Sequence, residues 1–313
     1  MSTIPATPSR PFGAVGTAMI TPFTPDGESL DREAAVRVAQ HLVEHGNDLL
    51  VLGGTTGESP TTTDEEKIDL VRLVSEAVGD RARIVAGVGT NDTRHSIELA
   101  QRHAELGIDG LLLVTPYYSK PSQEGILAHT RAIADATELP IMLYDIPGRS
   151  GVPLALDTLL RLGEHERIVA VKDAKADLHQ ATEVMSRTDL VYYSGEDALN
   201  LPWLALGAAG VVSVVGHAAS DLERELIAAV DRGDLAHSRA VHGRLRPLVE
   251  AIMNRMPGVV AAKTALQLQG VLDHAAVRGP LIHATEEQTR QLAEAIAAEP
   301  GIPALATTSG RTA

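Results

Sequence analysis

Short, strongly apolar runs alternate with amphipathic segments along most of this 313-residue chain. Each run has the length of a strand and is rich in Val, Ile and Leu, as strands are when both faces of a parallel sheet are covered. The runs occupy residues 15–20, 49–52, 84–88, 110–114, 141–144, 168–171, 190–193 and 211–215. Between them, apolar residues recur at helical spacing, for example over residues 31–45, 64–78, 93–106 and 122–136. This alternation predicts a parallel α/β fold.

Two parallel architectures fit this pattern, a closed barrel and a doubly wound open sheet. An eighth strand near Val212 and the absence of a G-x-G-x-x-G fingerprint favour the (β/α)8 TIM barrel. Further helical patterns follow at residues 221–231, 234–253 and 285–297, more than a minimal barrel needs. We therefore expect a barrel over residues 12–219, a C-terminal helical subdomain over residues 220–299 and a disordered tail over residues 300–313.

Composition excludes several classes of function. Lys and Arg total 27 against 41 Asp and Glu, a formal charge of −14 without a basic tract, which argues against nucleic acid and anionic membranes. The chain has no cysteine, so disulfides and thiolate chemistry are excluded. The 12 histidines show no zinc-binding spacing, and there is no G-x-S-x-G motif. We expect a cytoplasmic protein without a metal or cofactor.

One of the five lysines lies in an unusual place. Lys172 directly follows the apolar run 168–171, where a charged amine is unfavourable unless its pKa falls or a carboxylate pairs with it. A neutral amine at the mouth of a barrel forms a Schiff base with a ketone. The alternative is a lysine that is paired with Asp173 or Glu196. Both interpretations remain open at this point.

Other polar residues follow the predicted strands. The glycine-rich loop 53–59 carries two threonines and either presents its amides to an anion or forms a plain turn. Tyr117, Tyr118 and Tyr144 are suited to proton relay or to filling the core. Arg149 is either a fork for a carboxylate or a surface arginine. Together on one rim, these groups predict a site that binds a 2-oxo acid, forms an imine and moves protons.

Five segments carry a resemblance to a known family. They are GTTGES at 54–59, TPYY at 115–118, YDIPGRSG at 144–151, VKDA at 171–174 and SGED at 194–197. With their spacing, from about residue 13 to residue 297, the chain resembles the dihydrodipicolinate synthase family. The resemblance implies a (β/α)8 barrel with a C-terminal helical domain and a homotetramer built as a dimer of dimers.

The resemblance also implies an activity. Members of the family condense pyruvate with L-aspartate 4-semialdehyde, the first committed step of the diaminopimelate route to lysine. The alternative is a sister aldolase, of the N-acetylneuraminate lyase or 2-keto-3-deoxy sugar acid aldolase type. Those enzymes share the lysine and the tyrosine but generally lack an arginine at the position of Arg149. A non-catalytic barrel is disfavoured because the reactive residues are intact.

Roles for individual residues follow from the same resemblance. Lys172 is implied to be the Schiff-base lysine. Tyr144, Thr55 and Tyr118 are implied to form a proton relay, with Tyr118 reaching into the site of a neighbouring subunit. The substrate-binding residues implied by the family are Thr56 for the carboxylate of pyruvate, Arg149 for the carboxylate of the semialdehyde, and Gly195 and Val212 for contact with the bound keto acid.

The chain departs from the family pattern at several positions. Asp145 stands where Asn is more usual, and Ser150 where Thr is usual. At the positions of Asp64, Lys67 and His95, lysine-sensitive enzymes commonly carry His, His and Glu. The matching positions Asn91, Tyr117 and Ser59 keep the pattern. Because the acidic partner for the ammonium of lysine is absent, and because Asp64 is expected to cap the following helix, we predict weak feedback inhibition.

Overall fold

The computed structural model describes residues 8–306. Its strands form one closed parallel barrel in the order β1 to β8, with each strand paired to the next and β8 paired to β1. The strands are β1 (Val15–Ala18), β2 (Leu49–Leu52), β3 (Arg83–Gly87), β4 (Gly110–Val114), β5 (Ile141–Asp145), β6 (Ile168–Asp173), β7 (Val191–Ser194) and β8 (Gly210–Ser213). The (β/α)8 barrel is therefore confirmed, and the open sheet is excluded.

Helices cover the outside of the barrel and continue beyond it. Those between the strands are α1 (Arg32–Glu44), α2 (Asp64–Val78), α3 (Thr93–Ala104), α4 (Gln123–Ala134), α5 (Pro147–Ser150), α6 (Leu156–Leu162), α7 (Leu178–Arg187) and α8 (Asn200–Ala205). After β8 come α9 (Gly216–Asp231), α10 (Leu235–Val249), a π-helical turn (Glu250–Asn254), α11 (Gly258–Leu268) and α12 (Glu286–Ala297). No helix within residues 8–306 is long and apolar enough to cross a membrane.

Alternation along the strands divides the apolar side chains into two cores. Residues such as Leu49, Val85 and Val212 point into the barrel and form an inner cluster. Their neighbours, such as Leu50 and Val211, belong to a larger outer cluster that packs the sheet against the helices. Both faces of each strand are therefore buried, which explains why the runs read as continuously apolar.

Local signals place several helix ends where the sequence predicts them. Asp31 and Ser122 cap the first turns of α1 and α4 through their side chains. Thr63 and Glu66 form a capping box at the start of α2, so the expected cap at Asp64 is wrong by one residue. This difference frees the carboxylate of Asp64 for other contacts.

The C-terminal region contains an element that the helical patterns do not predict. Helix α11 is buried on nearly every side, so it has no polar face and no periodic signal. Residues 300–306 pack beside it, with the amide of Ala306 donating to the carbonyl of Leu268 at 2.8 Å and Ile302 buried. This packing departs from the disorder that we expect over 300–313. Residues 307–313 lie outside the described residues.

Candidate active site

A cavity of about 400 Å³ opens at the carboxyl ends of the strands. In (β/α)8 barrels this face carries the active site, because the loops that follow the strands converge there. The lining includes Thr55, Tyr117, Tyr118, Tyr144 and Arg149. The structure therefore brings together the hydroxyl groups and the guanidinium that the sequence placed on one rim. Lys172, Thr56, Gly195 and Val212 are not among the lining residues.

Lys172 lies next to the cavity wall, near the end of β6. It is paired in register with Tyr144 on β5, and its Nζ atom lies 4.3 Å from the centroid of the Tyr144 ring. The side chain is almost completely buried, and burial lowers the pKa of Lys172 to about 8. Arg149 acts in the same direction, whereas the charge of Asp197 opposes the shift. Roughly a tenth of this amine is therefore neutral at pH 7.

The suggested pairing of Lys172 with Asp173 is not what the structure shows. One oxygen of Asp173 accepts hydrogen bonds from the backbone amides of Lys175 and Ala176, both at 2.8 Å. The lysines Lys67, Lys175 and Lys263 each form an ion pair with a carboxylate, whereas within residues 8–306 no such pair holds Lys172. Lys172 is thus a buried amine that lies beside a cavity without a carboxylate against it.

Burial alone does not single out this lysine. Lys263 is only 1% exposed, and burial lowers its pKa to about 8 as well, although no pattern in the sequence marks it as buried. Its Nζ atom donates to Glu58 and to the carbonyl of Ala276, and it is not among the residues that line the cavity. The difference between Lys172 and Lys263 lies in their partners and in access to the cavity.

Tyr144 and Thr55 come together from two different strands. Tyr144 is the penultimate residue of β5, and Thr55 lies in the loop after β2. Burial raises the pKa of Tyr144 to about 12, while the charge of Arg149 and the polar side chain of Thr55 act in the opposite direction. The phenol is therefore protonated at neutral pH and can pass its proton to or from a neighbouring hydroxyl.

The glycine-rich loop after β2 is a closed turn. It begins with Gly53 at φ +64°, a conformation that favours glycine. The amide of Glu58 donates to the carbonyl of Thr55 at 3.1 Å, and the hydroxyl of Thr21 donates to the carbonyl of Gly57 at 2.7 Å. Thr56 is buried within the turn. These hydrogen bonds fix the backbone of the loop in one conformation.

Arg149 and Tyr118 lie at the outer part of the cavity. Arg149 is exposed on the one-turn helix α5, whose last residue Ser150 donates its hydroxyl to the carbonyls of Ile146 and Val152. Tyr118 is 89% exposed and has a φ of +69°, which is unusual for a residue other than glycine. Neither side chain is held by the barrel core, so both are free to meet a substrate or another chain.

Gly195 lies against Lys172, and neither Gly195 nor Val212 lines the cavity. A Cβ atom at Gly195 would lie 3.0 Å from Cγ of Lys172, so a larger residue would crowd the lysine. Val212 belongs to the inner core cluster that also contains Tyr144. Gly195 therefore leaves room for the side chain of Lys172, and Val212 is part of the core that contains Tyr144.

Asp145, which stands where the family more usually has Asn, is paired with a lysine. Asp145 is completely buried, directly after Tyr144, and one of its oxygens lies 3.0 Å from Nζ of Lys175. Burial raises the pKa of Asp145, while Lys175 acts in the opposite direction. The carboxylate of Asp145 is therefore paired with Lys175, and neither residue lines the cavity.

Reasoning from the sequence missed one acidic residue near the lysine. Asp197 is buried and accepts hydrogen bonds from the backbone amides of Val214 and Val215 at 2.9 and 3.1 Å. It also accepts a bond from the hydroxyl of Ser213. Asp197 thereby fixes the turn after β8, and its negative charge acts to raise the pKa of Lys172. It belongs to the quoted segment 194–197, which is the signal that could have identified it.

Within residues 8–306, no three His, Asp or Glu side chains are arranged to hold an ion. The fold and the site instead define a (β/α)8-barrel protein that carries a lysine suited to imine chemistry.

Comparison with known proteins identifies the family. The model of the dihydrodipicolinate synthetase family matches residues 11–299. The 4-hydroxy-tetrahydrodipicolinate synthase of Kineococcus radiotolerans is 58% identical over 292 residues, which cover 93% of this chain and 94% of that protein. This chain therefore belongs to the dihydrodipicolinate synthetase family.

Solved structures agree with this assignment. The crystal structure of the enzyme from Cyanidioschyzon merolae with lysine bound has a TM-score of 0.90 and 42% identity, covering 93% of this chain and 99% of that one. The dihydrodipicolinate synthase of Bacillus anthracis has a TM-score of 0.89 and 43% identity, covering 92% of this chain and 99% of that one. The likeness extends over the barrel and the C-terminal helices.

Proposed function

We propose that this chain condenses pyruvate with L-aspartate 4-semialdehyde to give 4-hydroxy-tetrahydrodipicolinate, the first committed step of diaminopimelate and lysine biosynthesis. The observation that carries the proposal is the buried, unpaired Lys172 beside Tyr144 at the cavity. The names of the curated relatives support the same reaction.

The proposed reaction proceeds through an imine on Lys172. The neutral amine attacks C2 of pyruvate, and the carbonyl oxygen leaves as water. Loss of a proton from the methyl group gives an enamine, whose carbon attacks the aldehyde of the second substrate. The amino group of that substrate then displaces Lys172 from the imine carbon and closes the ring. Each step moves a proton, for which Tyr144, Thr55 and Tyr118 are the proposed relay.

The remaining residues are proposed to hold the substrates. Thr56 presents its amide and hydroxyl to the carboxylate of pyruvate, and Gly195 and Val212 contact the bound keto acid. Arg149 holds the carboxylate of the semialdehyde at the mouth, where it is exposed and lines the cavity. This arginine favours the synthase over the sister aldolases, which generally lack it.

The test of the function is a comparison of substrates. The purified protein is assayed with pyruvate and aspartate semialdehyde, and separately with sialic acid and with 2-keto-3-deoxy sugar acids. We expect turnover only in the first assay. Cleavage of a sugar acid at a comparable kcat/KM would replace the proposal with an aldolase.

Replacing Arg149 with alanine is expected to raise the KM for aspartate semialdehyde by about tenfold to a hundredfold, the worth of one charge-assisted contact. The KM for pyruvate should change little, because the guanidinium pairs only with the second carboxylate. Steady-state kinetics with each substrate varied in turn measure the two values. Equal damage to both would indicate a structural arginine.

Lysine is expected to inhibit this enzyme weakly, with half-inhibition well above about 1 mM. The carboxylate of Asp64 is already occupied, since it lies 2.7 Å from Nε2 of His95 and 3.4 Å from Nζ of Lys67. The buried charge of Lys67 would also repel a bound ammonium. Initial rates at subsaturating substrate and increasing lysine test this prediction. Half-inhibition well below 1 mM would show that another acid accepts the ammonium.

We further propose that the chain is a homotetramer, a dimer of tight dimers. The exposed phenol of Tyr118 at the edge of the cavity supports a shared site, in which it completes the relay of a neighbouring copy. Light scattering at the assay concentration is expected to give four times the mass of the chain. A monomer with full activity would contradict the shared site.

We also propose that the chain divides into a barrel and a C-terminal helical subdomain. The backbone of α9 is non-helical at Ala219, where the barrel (12–219) is proposed to end and the C-terminal helical subdomain (220–299) to begin.

We propose that the protein is cytoplasmic. Its negative net charge and its near-neutral mean hydropathy of +0.02 are in keeping with that location.

A further inference from the structure

Glu58, near the end of the glycine-rich loop, has an unfavourable backbone conformation. Its φ and ψ of 53° and 39° lie in the left-handed region, which residues with a Cβ atom rarely occupy. The side chain is only 3% exposed and points away from the cavity that the loop lines. Such a conformation persists only where surrounding contacts enforce it.

Those contacts come from the C-terminal region. Oε1 of Glu58 lies 2.5 Å from Nζ of Lys263 on α11, and Oε2 accepts the backbone amide of Arg278 at 3.0 Å. Lys263 also donates to the carbonyl of Ala276 at 2.7 Å, and it lies over the ring of Phe23. Both oxygens of the buried carboxylate are therefore engaged by residues more than 200 positions away in the chain.

The side chain of Arg278 contacts the segments that flank the loop in space and in sequence. Its guanidinium donates to the carbonyls of Gly27 and Thr61 at 2.7 and 2.8 Å. It also forms a two-point ion pair with Glu66, the residue of the capping box at the start of α2. The segment from the loop to α2 is thus held at Glu58, Thr61 and Glu66 by one part of the C-terminal region.

Glu58 is directly coupled to Thr55, which is proposed to relay protons, and to Thr56, which is proposed to bind pyruvate. Its amide closes the turn on the carbonyl of Thr55, and the amide of Ser59 donates to the carbonyl of Gly54 at 3.3 Å. Thr56 lies between these bonds. A rotation of the Glu58 backbone would therefore displace both threonines.

We propose that Glu58, Lys263 and Arg278 form a clamp through which the C-terminal region positions Thr55 and Thr56 for pyruvate. This inference rests on the proposed function, because it assigns the clamp to that same site. Glu58 and Lys263 are positioning residues, since neither lines the cavity. The buried ion pair of Glu58 with Lys263 therefore fixes the conformation of the loop. In this way the C-terminal region positions residues of the active site without touching the substrates.

The variants Lys263→Met and Glu58→Gln test the clamp. We expect each to raise the KM for pyruvate by about tenfold or more, because displacing Thr56 weakens its hydrogen bonds to the carboxylate of pyruvate, and one hydrogen bond to a charged group is worth about tenfold or more. The KM for aspartate semialdehyde should stay nearly unchanged, since Arg149 is held by a different loop. A merely structural role would reduce the fraction of active enzyme, and hence the apparent kcat, and leave both KM values alone.

The double variant Glu58→Gln/Lys263→Met supplies a second readout. It leaves no unpaired charge buried, whereas each single variant does. We expect the KM for pyruvate to lie between the values of the wild type and Lys263→Met, and we expect the double variant to fold even if that single variant does not. The matched control is Arg244→Met, which removes an ion pair of the C-terminal region with Glu225 and Glu299 that does not touch the loop.

Hydrogen exchange separates the clamp from the proposed function. In Lys263→Met and Glu58→Gln, amide exchange over residues 53–62 should accelerate without substrate, whereas Arg244→Met should leave it unchanged. Wild-type protein that fails to form an imine with pyruvate would overturn the proposed function but not the clamp. The clamp would be overturned if amide exchange over residues 53–62 were unchanged in both Lys263→Met and Glu58→Gln. It would also be overturned if the KM for pyruvate of these two variants equalled that of Arg244→Met.

Discussion

Replacing Lys172 with methionine is expected to abolish turnover, with a loss of more than about 10³-fold, because the covalent intermediate cannot form without the amine. In the wild-type protein, borohydride added with pyruvate should trap the imine on the same residue. Peptide mass spectrometry locates the adduct. The exposed residue Lys120 provides the control, since Lys120→Met removes an amine from a neighbouring loop without entering the site.

The trapping rate has an expected dependence on pH. Only the neutral amine attacks pyruvate, and burial places the pKa of Lys172 at about 8 instead of 10.5. The rate should therefore rise with pH and level off above about 8, with roughly a tenth of the amine neutral at pH 7. An adduct on Lys175, the absence of any adduct, or a rise that continues to about pH 10 would contradict this role.

Tyr144→Phe and Thr55→Val are each expected to lower kcat by about 10²- to 10⁴-fold, the usual contribution of a group that transfers protons. Tyr144→Phe removes only the hydroxyl, and Thr55→Val replaces the hydroxyl with a methyl group of similar size, so the fold should be retained. Turnover, together with thermal unfolding, distinguishes loss of chemistry from loss of structure.

Tyr192→Phe is the matched control for the tyrosine. Tyr192 is buried on β7 and stacks on Trp203 with a centroid distance of 5.5 Å, and it is not among the residues that line the cavity. Its variant should retain full turnover. If Tyr144→Phe and Thr55→Val also keep wild-type turnover, both hydroxyls are structural and the proposed relay is wrong.

The strands could be predicted because each is covered on both faces. Continuous apolar runs give β2 and β4 with the bounds that the structure shows. The runs end too early at β5 and β6, which continue to Asp145 and Asp173. Apolar patterning stops where the site begins, because the last residues of these strands are charged or polar groups that are buried for chemistry or for ion pairing.

Helix α11 and its lysine could not be predicted by the same reasoning. A helix that is buried all round shows no amphipathic pattern, and the sequence gives no sign that Lys263 is as buried as Lys172. The partner that stabilises Lys263 is Glu58, 205 positions earlier in the chain. Only packing of the C-terminal region against the barrel brings the two together.

The order of the strands, and with it the face on which Lys172, Tyr144, Thr55 and Arg149 meet, follows from the sequence alone. Parallel strands joined by helices place all their carboxyl ends on one side. The tertiary structure decided which buried lysine is free and which is neutralised by a carboxylate. That distinction depends on desolvation and on partners distant in the chain, and both are set by packing, which local patterning does not encode.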